Sequence, residues 1–286
     1  MKTVHLIEAQ YEVFSFKVLH DRALSDPIPV IAEVTQGFCL LAVVRSSLQD
    51  PNFCDPALCA DGETHVACKA NPGFGKPSGK TIPLDSAKQL LIVKTHNELR
   101  NKIATGKQNY TGGFYPEAAR MTTIQWDDDL AFIAAANARK CVFNHDTCHN
   151  TASYPLAGQN IAFYRYSDGS AKMETVLPSL IEKWYAEYKD CKPAYTKEYP
   201  DGYKGPVIGH FTQIVGDRSD RVGCAVVQWT EKARRTFIYL VCNYARGNLI
   251  GVPVYTPGKV ASQCTTGTNK NYPGLCSTEE SVEYGF

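Results

Sequence analysis

The stretch Gly209-His210-Phe211-Thr212-Gln213-Ile214-Val215 decides the interpretation of this chain, together with a second block, Tyr239-Leu240-Val241-Cys242-Asn243-Tyr244-Ala245-Arg246-Gly247-Asn248. The second block begins inside a segment rich in β-branched and aromatic residues, Thr236 to Tyr244, and a similar segment runs from Val222 to Trp229. A polar turn separates these segments, which is typical of an antiparallel hairpin. In a hairpin centred on Ala233, Cys224 faces Cys242, so the register predicts a disulfide between them.

Helical patterns precede this hairpin. Asp85 or Ser86 can cap a first helix that ends at Gly106, and a second helix is predicted after residues 127–129, whose three Asp charges favour a helix N-terminus. A short strand is predicted at residues 160–163. Helices and strands mix without a regular βαβ alternation, so we expect an α+β fold built in layers. The apolar stripes of the three predicted helices are Ile92, His96, Leu99 and Ile103; Leu130, Ile133, Ala134, Ala138 and Cys141; and Leu177, Leu180, Trp184 and Tyr188.

Composition indicates a globular protein of an oxidising compartment. The 286 residues suffice for one main domain with extensions. A net charge of +1 gives no reason to expect nucleic acid or an acidic membrane as an obligatory partner. The eleven cysteines include no Cys-x-x-Cys pair of zinc-site spacing, so they predict a disulfide framework in an extracellular, secreted protein.

The N-terminal part is atypical for such a protein. An apolar run from Gly37 to Val44 has the length of the hydrophobic region of a signal peptide, and it is too short to span a bilayer. Because residues 1–36 precede this run, we expect residues 1–48 to be an atypical, signal-like leader or a mis-assigned start. Cys39 is then the odd cysteine. No transmembrane segment is predicted.

The remaining chain divides into three parts by composition. Residues 49–84 form an irregular extension rich in Cys, Pro and Gly, residues 85–250 form the main domain, and residues 251–286 form a tail. Pairing Cys264 with Cys276 would close a small loop in the tail. Asn109 begins an N-glycosylation sequon, which suits a loop of a secreted protein.

The two opening blocks resemble the signature segments of the CAP superfamily, also called the SCP domain. Residues 95–100 (THNELR) and residues 125–127 (QWD) are similar to the starts of its first two helices. Residues 53–68 and residues 141–148 (CVFNHDTC) resemble the insect antigen 5 branch in particular. The likeness spans residues 53–276, so it is far more specific than an isolated motif. It implies a three-layer α-β-α sandwich with a disulfide-tied N-terminal segment and a short C-terminal tail.

The resemblance also implies disulfide partners. It pairs Cys54 with Cys68 and Cys59 with Cys148. The cysteine that usually pairs with the position of Cys141 is missing from this chain, and Cys191 is unusual for the family. We therefore expect a Cys141–Cys191 bond.

A central cleft lined by four residues follows from the same resemblance. Its positions fall on His145, Gln159, Glu187 and His210, with Gln159 where other branches of the family carry Glu. Two neutral imidazoles that converge on a cleft can hold a divalent metal, so His145 and His210 are the predicted ligands of Zn²⁺ or a similar ion. The affinity should be modest and pH-dependent, and no cofactor is required.

Plainer interpretations compete for each of these side chains. His96 lies on an apolar helix stripe, where a hydrogen-bonded core histidine is commoner than a metal ligand. Glu187 can be a solvated carboxylate at the edge of the third helix. From the residues alone, His149 is as good a partner for His210 as His145 is.

Three function classes remain open. The resemblance favours a secreted, non-enzymatic protein that binds a sterol, a fatty acid or a bioactive lipid, a divalent metal, or both. The second is a protein-interaction module that modulates a channel or receptor of a host or cell surface. The third is a hydrolase, which the sequence disfavours because Gly-x-Ser-x-Gly and His-Glu-x-x-His are missing and Gln159 cannot take up a proton.

Overall fold

The computed structural model describes residues 52–70, 73–167, 170–231 and 234–285, and four short strands between residues 11 and 33. The chain divides into two compact units, Met1–Asn52 and Phe53–Phe286. In the first unit β1 pairs antiparallel with β4, and β2 with β3. The bounds of these strands are Tyr11–Phe16 (β1), Leu19–His20 (β2), Ala23–Leu24 (β3) and Ile28–Glu33 (β4).

The predicted leader, residues 1–48, falls within this first unit. Cys39 and the apolar run around it lie outside the described residues. The boundaries predicted between leader, extension, main domain and tail stay predictions.

An antiparallel sheet forms the centre of the second unit. Its strands follow the order β5-β10-β11-β9, and β8 adds a short parallel pairing to β10. β10 and β11 are the predicted hairpin, since Cys224 lies opposite Cys242. Ala233, the predicted centre of the turn, lies outside the described residues. A separate hairpin joins β6 and β7. The bounds are Lys80–Ile82 (β5), Asn109–Tyr110 (β6), Gly113–Phe114 (β7), Gln125–Trp126 (β8), Gly158–Tyr166 (β9), Arg221–Glu231 (β10) and Arg235–Tyr244 (β11).

Side-chain caps start the first two helices, of which α1 begins at its predicted position and α2 begins at Asp128, within the Asp run and not after it. Asp85 accepts a hydrogen bond from Lys88 N (3.0 Å) before α1, and Asp127 accepts one from Leu130 N (2.8 Å) before α2. After α1 the chain turns at Gly106, whose φ of 64° favours glycine. The helices are Ser86–Ala104 (α1), Asp128–Ala138 (α2), Met173–Tyr185 (α3), Pro193–Lys197 (α4) and Gly209–Ile214 (α5), with 3-10 turns at Pro56–Leu58 and Ala186–Lys189.

Helices pack on both faces of the sheet, which confirms the predicted three-layer α-β-α sandwich. Alternate residues of a strand point to opposite faces. Ile238 and Leu240 join a larger core with α1, α3 and α5, whereas Tyr239 and Val241 join a smaller core beneath α2. Gly223 allows α2 to lie close to β10, because a Cβ there would lie 2.1 Å from a backbone nitrogen of the helix.

Disulfides brace the extension, the sheet and the tail. Each of the four in the described part of the chain joins partners that the sequence analysis predicts. They are Cys54–Cys68, Cys59–Cys148, Cys224–Cys242 and Cys264–Cys276.

The predicted Cys141–Cys191 bond is wrong, because both thiols are free and buried. Cys141 packs in the smaller core beneath α2, and Cys191 packs in the larger core on the other face of the sheet. The sheet therefore separates the two side chains. Burial raises the pKa of both thiols, that of Cys191 to about 12, so neither is a reactive thiolate at neutral pH.

The tail is anchored by more than its disulfide. Leu275 is fully buried in the larger core. Glu280 accepts hydrogen bonds from Arg120 Nε (2.8 Å), Thr265 N (2.9 Å) and Thr266 N (3.0 Å). Burial alone would raise the pKa of Glu280, but these bonds outweigh it and lower the pKa to about 2. The tail is thus part of the packed unit.

No helix within the described ranges combines the length and the apolarity that crossing a bilayer requires. Asn109 is exposed at the start of β6, and its glycosylation stays a prediction.

Candidate functional site

The first half of the predicted cleft joins Glu187 to His210. The α-helical part of α3 ends at Tyr185, and the chain continues as the 3-10 turn Ala186–Lys189, which carries Glu187. Glu187 Oε2 accepts hydrogen bonds from His210 N (2.9 Å) and Phe211 N (3.1 Å) in the first turn of α5. Glu187 Oε1 lies 2.6 Å from His210 Nδ1, so this ring nitrogen is the donor. The carboxylate therefore holds both the backbone and the ring of His210.

Trp184 supports the same imidazole from its face. The indole and the His210 ring stack with centroids 6.1 Å apart and planes 13° apart. Trp184 Nε1 donates to Ile161 O of β9 (3.0 Å). This bond fixes the indole, and with it the position of His210, beside β9.

The second half of the cleft joins His145 to Gln159. His145 is exposed in the loop after α2, and its Nδ1 lies 2.8 Å from Gln159 Oε1. Gln159 Nε2 donates to Asp146 Oδ2 (2.9 Å) and to Asn243 Oδ1 (3.0 Å). These two bonds fix the amide so that its oxygen faces His145, whose Nδ1 must carry the proton.

Both halves contact β9 at consecutive residues. Side chains of neighbouring strand residues point to opposite faces of the sheet. Gln159 holds His145 on the α2 side, whereas Asn160 Nδ2 donates to His210 O (3.2 Å) on the side of α3 and α5. β9 is the last strand of the described strand order. Among the described residues, no hydrogen bond or ion pair joins one half of the cleft directly to the other.

Asp146 is a part of this site that sequence reasoning missed. Its carboxylate accepts hydrogen bonds from Asn137 (2.7 Å), from Gln159 and from His149 Nδ1. Burial alone would raise the pKa of Asp146, but these hydrogen bonds outweigh it and hold the pKa below its usual range. The only available signal was the position of Asp146 next to His145.

The competing histidine, His149, is occupied by structural contacts. Its Nδ1 contacts Asp146 Oδ1, and its Nε2 lies 3.1 Å from Ala157 O. Both ring nitrogens are therefore engaged, and His149 is not a second candidate for the cleft.

A buried hydrogen-bond chain lies behind the cleft and contains His96, the predicted core histidine. His96 is fully buried, its Nδ1 donates to Ile92 O (2.8 Å), and its Nε2 accepts from the Tyr244 hydroxyl (2.8 Å). Asn160 Nδ2 lies 3.3 Å from the same hydroxyl oxygen. Since Asn160 also bonds to His210 O, the chain links the core to the cleft. Burial lowers the pKa of His96 to about 4, so the ring is neutral at physiological pH.

The donor set fits a weak metal site. His145 and His210 each use Nδ1 for a hydrogen bond, and within the described residues neither Nε2 has a protein partner. No group of three or more His, Cys, Asp or Glu side chains in the described ranges is arranged to hold a metal ion. Two imidazoles with water in the remaining positions are what these residues can offer.

A separate apolar groove of about 490 Å³ lies between α1, β8 and the tail. Leu90 and Val93 of α1, Ile124, Trp126 of β8 and Tyr272 of the tail supply its apolar walls. Amide and hydroxyl side chains and the ammonium group of Lys94 line the remainder of the groove, and apolar walls with a few polar groups are typical of small-molecule sites.

Comparison with known proteins identifies the family. The model of the CAP family, described as the cysteine-rich secretory protein family, matches residues 93–244. Venom allergen-1 of Aedes albopictus is 43% identical over 235 residues, which cover 81% of this chain and 90% of the relative. Venom allergen-1 of Aedes aegypti is 44% identical over 234 residues, with 81% and 89% covered. The crystal structure of NaASP2 with Zn²⁺ is similar at a TM-score of 0.57 and 27% identity, over 68% of this chain and 96% of that one. The chain therefore belongs to the cysteine-rich secretory protein (CAP) family, in its antigen 5 branch.

Proposed function

We propose that this chain is a secreted, non-enzymatic antigen 5-like CAP protein that binds a divalent metal ion in the cleft, with His145 and His210 as ligands. The proposal is carried by one feature that both imidazole rings have in common. Each Nδ1 is hydrogen-bonded, to Gln159 and to Glu187 respectively, so each Nε2 keeps its lone pair for a metal. Metal-ligating histidines have this arrangement, because the second hydrogen bond fixes the tautomer and the orientation of the ring.

The same contacts argue against hydrolysis. Glu187 accepts three hydrogen bonds from His210 and Phe211, so its oxygens are committed to positioning α5. Gln159 cannot accept a proton as a general base. The two free thiols of the described residues, Cys141 and Cys191, are buried with raised pKa values, which makes them poor nucleophiles.

Calorimetric titration with Zn²⁺ at about pH 7.5 tests the metal site. His145→Ala and His210→Ala should each weaken binding at least tenfold, and Glu187→Gln should weaken it by about 10- to 100-fold through loss of ring positioning. Binding should also weaken as the pH falls, because protons compete with the metal for imidazole nitrogens.

The matched control is His65→Gln. Both nitrogens of His65 are already used, by Asn150 O (2.8 Å) and Ala67 N (3.1 Å), so this variant should bind Zn²⁺ as the parent protein does. Binding that survives the loss of both His145 and His210, or that falls equally in the control, contradicts the proposed ligands.

The apolar groove favours a second binding activity, towards a single-chain lipid or a sterol. Its volume of about 490 Å³ lies within the range of small-molecule sites, and its apolar walls can bury a hydrocarbon chain. Leu90 is 68% exposed, which leaves an apolar side chain of the groove in contact with solvent.

Displacement of a fluorescent fatty acid by unlabelled lipid tests this groove. Leu90→Asp should weaken binding, because it places a charge among the apolar walls. Ile250→Asp is the control, since Ile250 is similarly exposed (62%) and does not line the groove. Equal binding by both variants and the parent protein would exclude the groove as the lipid site.

A further inference from the structure

An aromatic surface lies exposed on the α2 side of the sheet. Val142, Phe143 and Phe163 are 57%, 51% and 45% exposed. The Phe143 and Phe163 rings contact edge to face with centroids 5.0 Å apart, and Phe163 contacts Phe237 of the neighbouring strand at 6.3 Å. These four residues are called the aromatic surface below.

The length of α2 explains why this surface is uncovered. α2 has 11 residues, which span about 16 Å at 1.5 Å each. β10 also has 11 residues, which span about 37 Å at 3.4 Å each. The helix therefore covers less than half of the sheet along the strands. Ser78 exchanges hydrogen bonds with the Thr230 backbone and so places another segment beside β10, whereas Phe163 of β9 stays 45% exposed.

Cationic side chains surround the aromatic surface. Arg165 lies opposite Phe237 in the strand register, and Arg235 lies two residues before Phe237, so all three point to the same face. Both arginines are exposed. Glu231 lies opposite Arg235, but it is already 3.4 Å from Lys76. Lys76, Arg165 and Arg235 therefore outnumber Glu231 among these four charged side chains.

We propose that the aromatic surface docks on lipid membranes that expose anionic headgroups. Aromatic rings are favoured at the membrane–water interface, where their apolar bodies leave water. Each Lys or Arg near an anionic leaflet adds about 1 kcal/mol of attraction. Phe143 and Phe163 would enter the interface while Arg165 and Arg235 contact the headgroups. This proposal does not depend on the metal ligands or on the groove between α1 and the tail.

Co-sedimentation with phosphatidylcholine vesicles, with and without phosphatidylserine, tests the proposal. The full chain should pellet with the anionic vesicles, bind the neutral ones weakly, and be released as salt is raised. Arg165→Gln should lower the partition coefficient about fivefold, which is the equivalent of about 1 kcal/mol. The Phe143→Ser and Phe163→Ser double variant should lose binding to anionic vesicles.

Ile250→Ser is the matched control, because Ile250 is an exposed apolar residue (62%) that lies outside both the aromatic surface and the groove. It should bind anionic vesicles as the parent protein does. All variants change exposed side chains, so their thermal unfolding should match that of the parent protein. Failure of the parent protein to pellet with anionic vesicles overturns the proposal, as does equal loss of binding in the Ile250→Ser control. Capture of a protein through the aromatic surface without vesicle binding also overturns it.

Discussion

Acid should destabilise this protein through His96, which is fully buried in α1. Burial lowers the pKa of His96 from 6.5 to about 4; the bond to Ile92 O opposes this shift and the charge of Arg100 adds to it. The neutral ring accepts a hydrogen bond at Nε2 from the Tyr244 hydroxyl. Protonation would place a second donor against that hydroxyl, whose oxygen already faces the Asn160 amide at 3.3 Å.

The size of the loss in unfolding free energy follows from the pKa values of His96 in the unfolded and the folded chain. The unfolded chain takes up this proton near pH 6.5 and the folded chain near pH 4, so the unfolded state binds more protons in between. The stabilisation is therefore complete above pH 6.5 and is lost as the pH falls towards 4. The difference between the two pKa values corresponds to about 3 kcal/mol of unfolding free energy, of which about 2 kcal/mol is lost by about pH 5.

Urea unfolding with intact disulfides, followed by tryptophan fluorescence between about pH 8 and about pH 5, measures this loss. His96→Gln keeps one donor and one acceptor but does not titrate, so its free energy of unfolding should fall by about 2 kcal/mol less than that of the parent protein over this range. Ile250→Ser changes an exposed side chain that does not titrate and should keep the pH dependence of the parent. Parallel curves for the parent protein and His96→Gln would refute the reasoning.

Two further predictions concern the core and the disulfides. Arg100 is fully buried and donates to Ile214 O at the end of α5 and to Gly216 O just after it. Its replacement by Met should therefore cost about 3–5 kcal/mol of unfolding free energy. A loss below about 1 kcal/mol in urea unfolding would contradict this. Replacing Cys59 and Cys148 by Ser opens a loop with a sequence separation of 89 and should cost about 5 kcal/mol of unfolding free energy. The same change at Cys54 and Cys68, which are separated by 14, should cost about 3 kcal/mol. Thermal unfolding of the two variants should show this order.

Local patterns were sufficient to predict the hairpin and the helix starts. The position of Ala233 between two β-rich segments fixes the pairing of Cys224 with Cys242, because register in a hairpin follows from the turn. Asp85 and Asp127 cap α1 and α2 through contacts three residues along the chain, and such contacts are visible in sequence.

Pairing by elimination failed for Cys141 and Cys191. Each residue is buried as expected of a cysteine in a core, but sequence does not reveal on which face of the sheet a cysteine outside the strands lies. The tail was underestimated for a similar reason. Its contribution to the larger core comes from Val254, Tyr255 and Leu275, apolar residues scattered through a largely polar segment, and this scatter carries no periodic signal.

The family resemblance predicts which residues line the cleft, whereas only the structure reveals their contacts. Glu187 contacts α5 because a 3-10 turn follows α3, a change of helix type that the apolar stripe does not reveal. Asn160 and Tyr244 lie within recognised segments, but their role as a link between His96 and His210 depends on the pairing of β9 with β11.

The contacts of Gln159 also explain why this chain has an amide where other branches of the family have an acid. Its Nε2 donates to the Asp146 carboxylate at 2.9 Å and to Asn243 Oδ1 at 3.0 Å, while its oxygen accepts from His145. A glutamate at this position would set an acceptor oxygen against both partners and a second negative charge beside Asp146. An amide satisfies all three neighbours without any change of protonation. The Asp146 carboxylate therefore favours an amide over an acid at position 159, and the positioning of His145 depends on both Asp146 and Gln159.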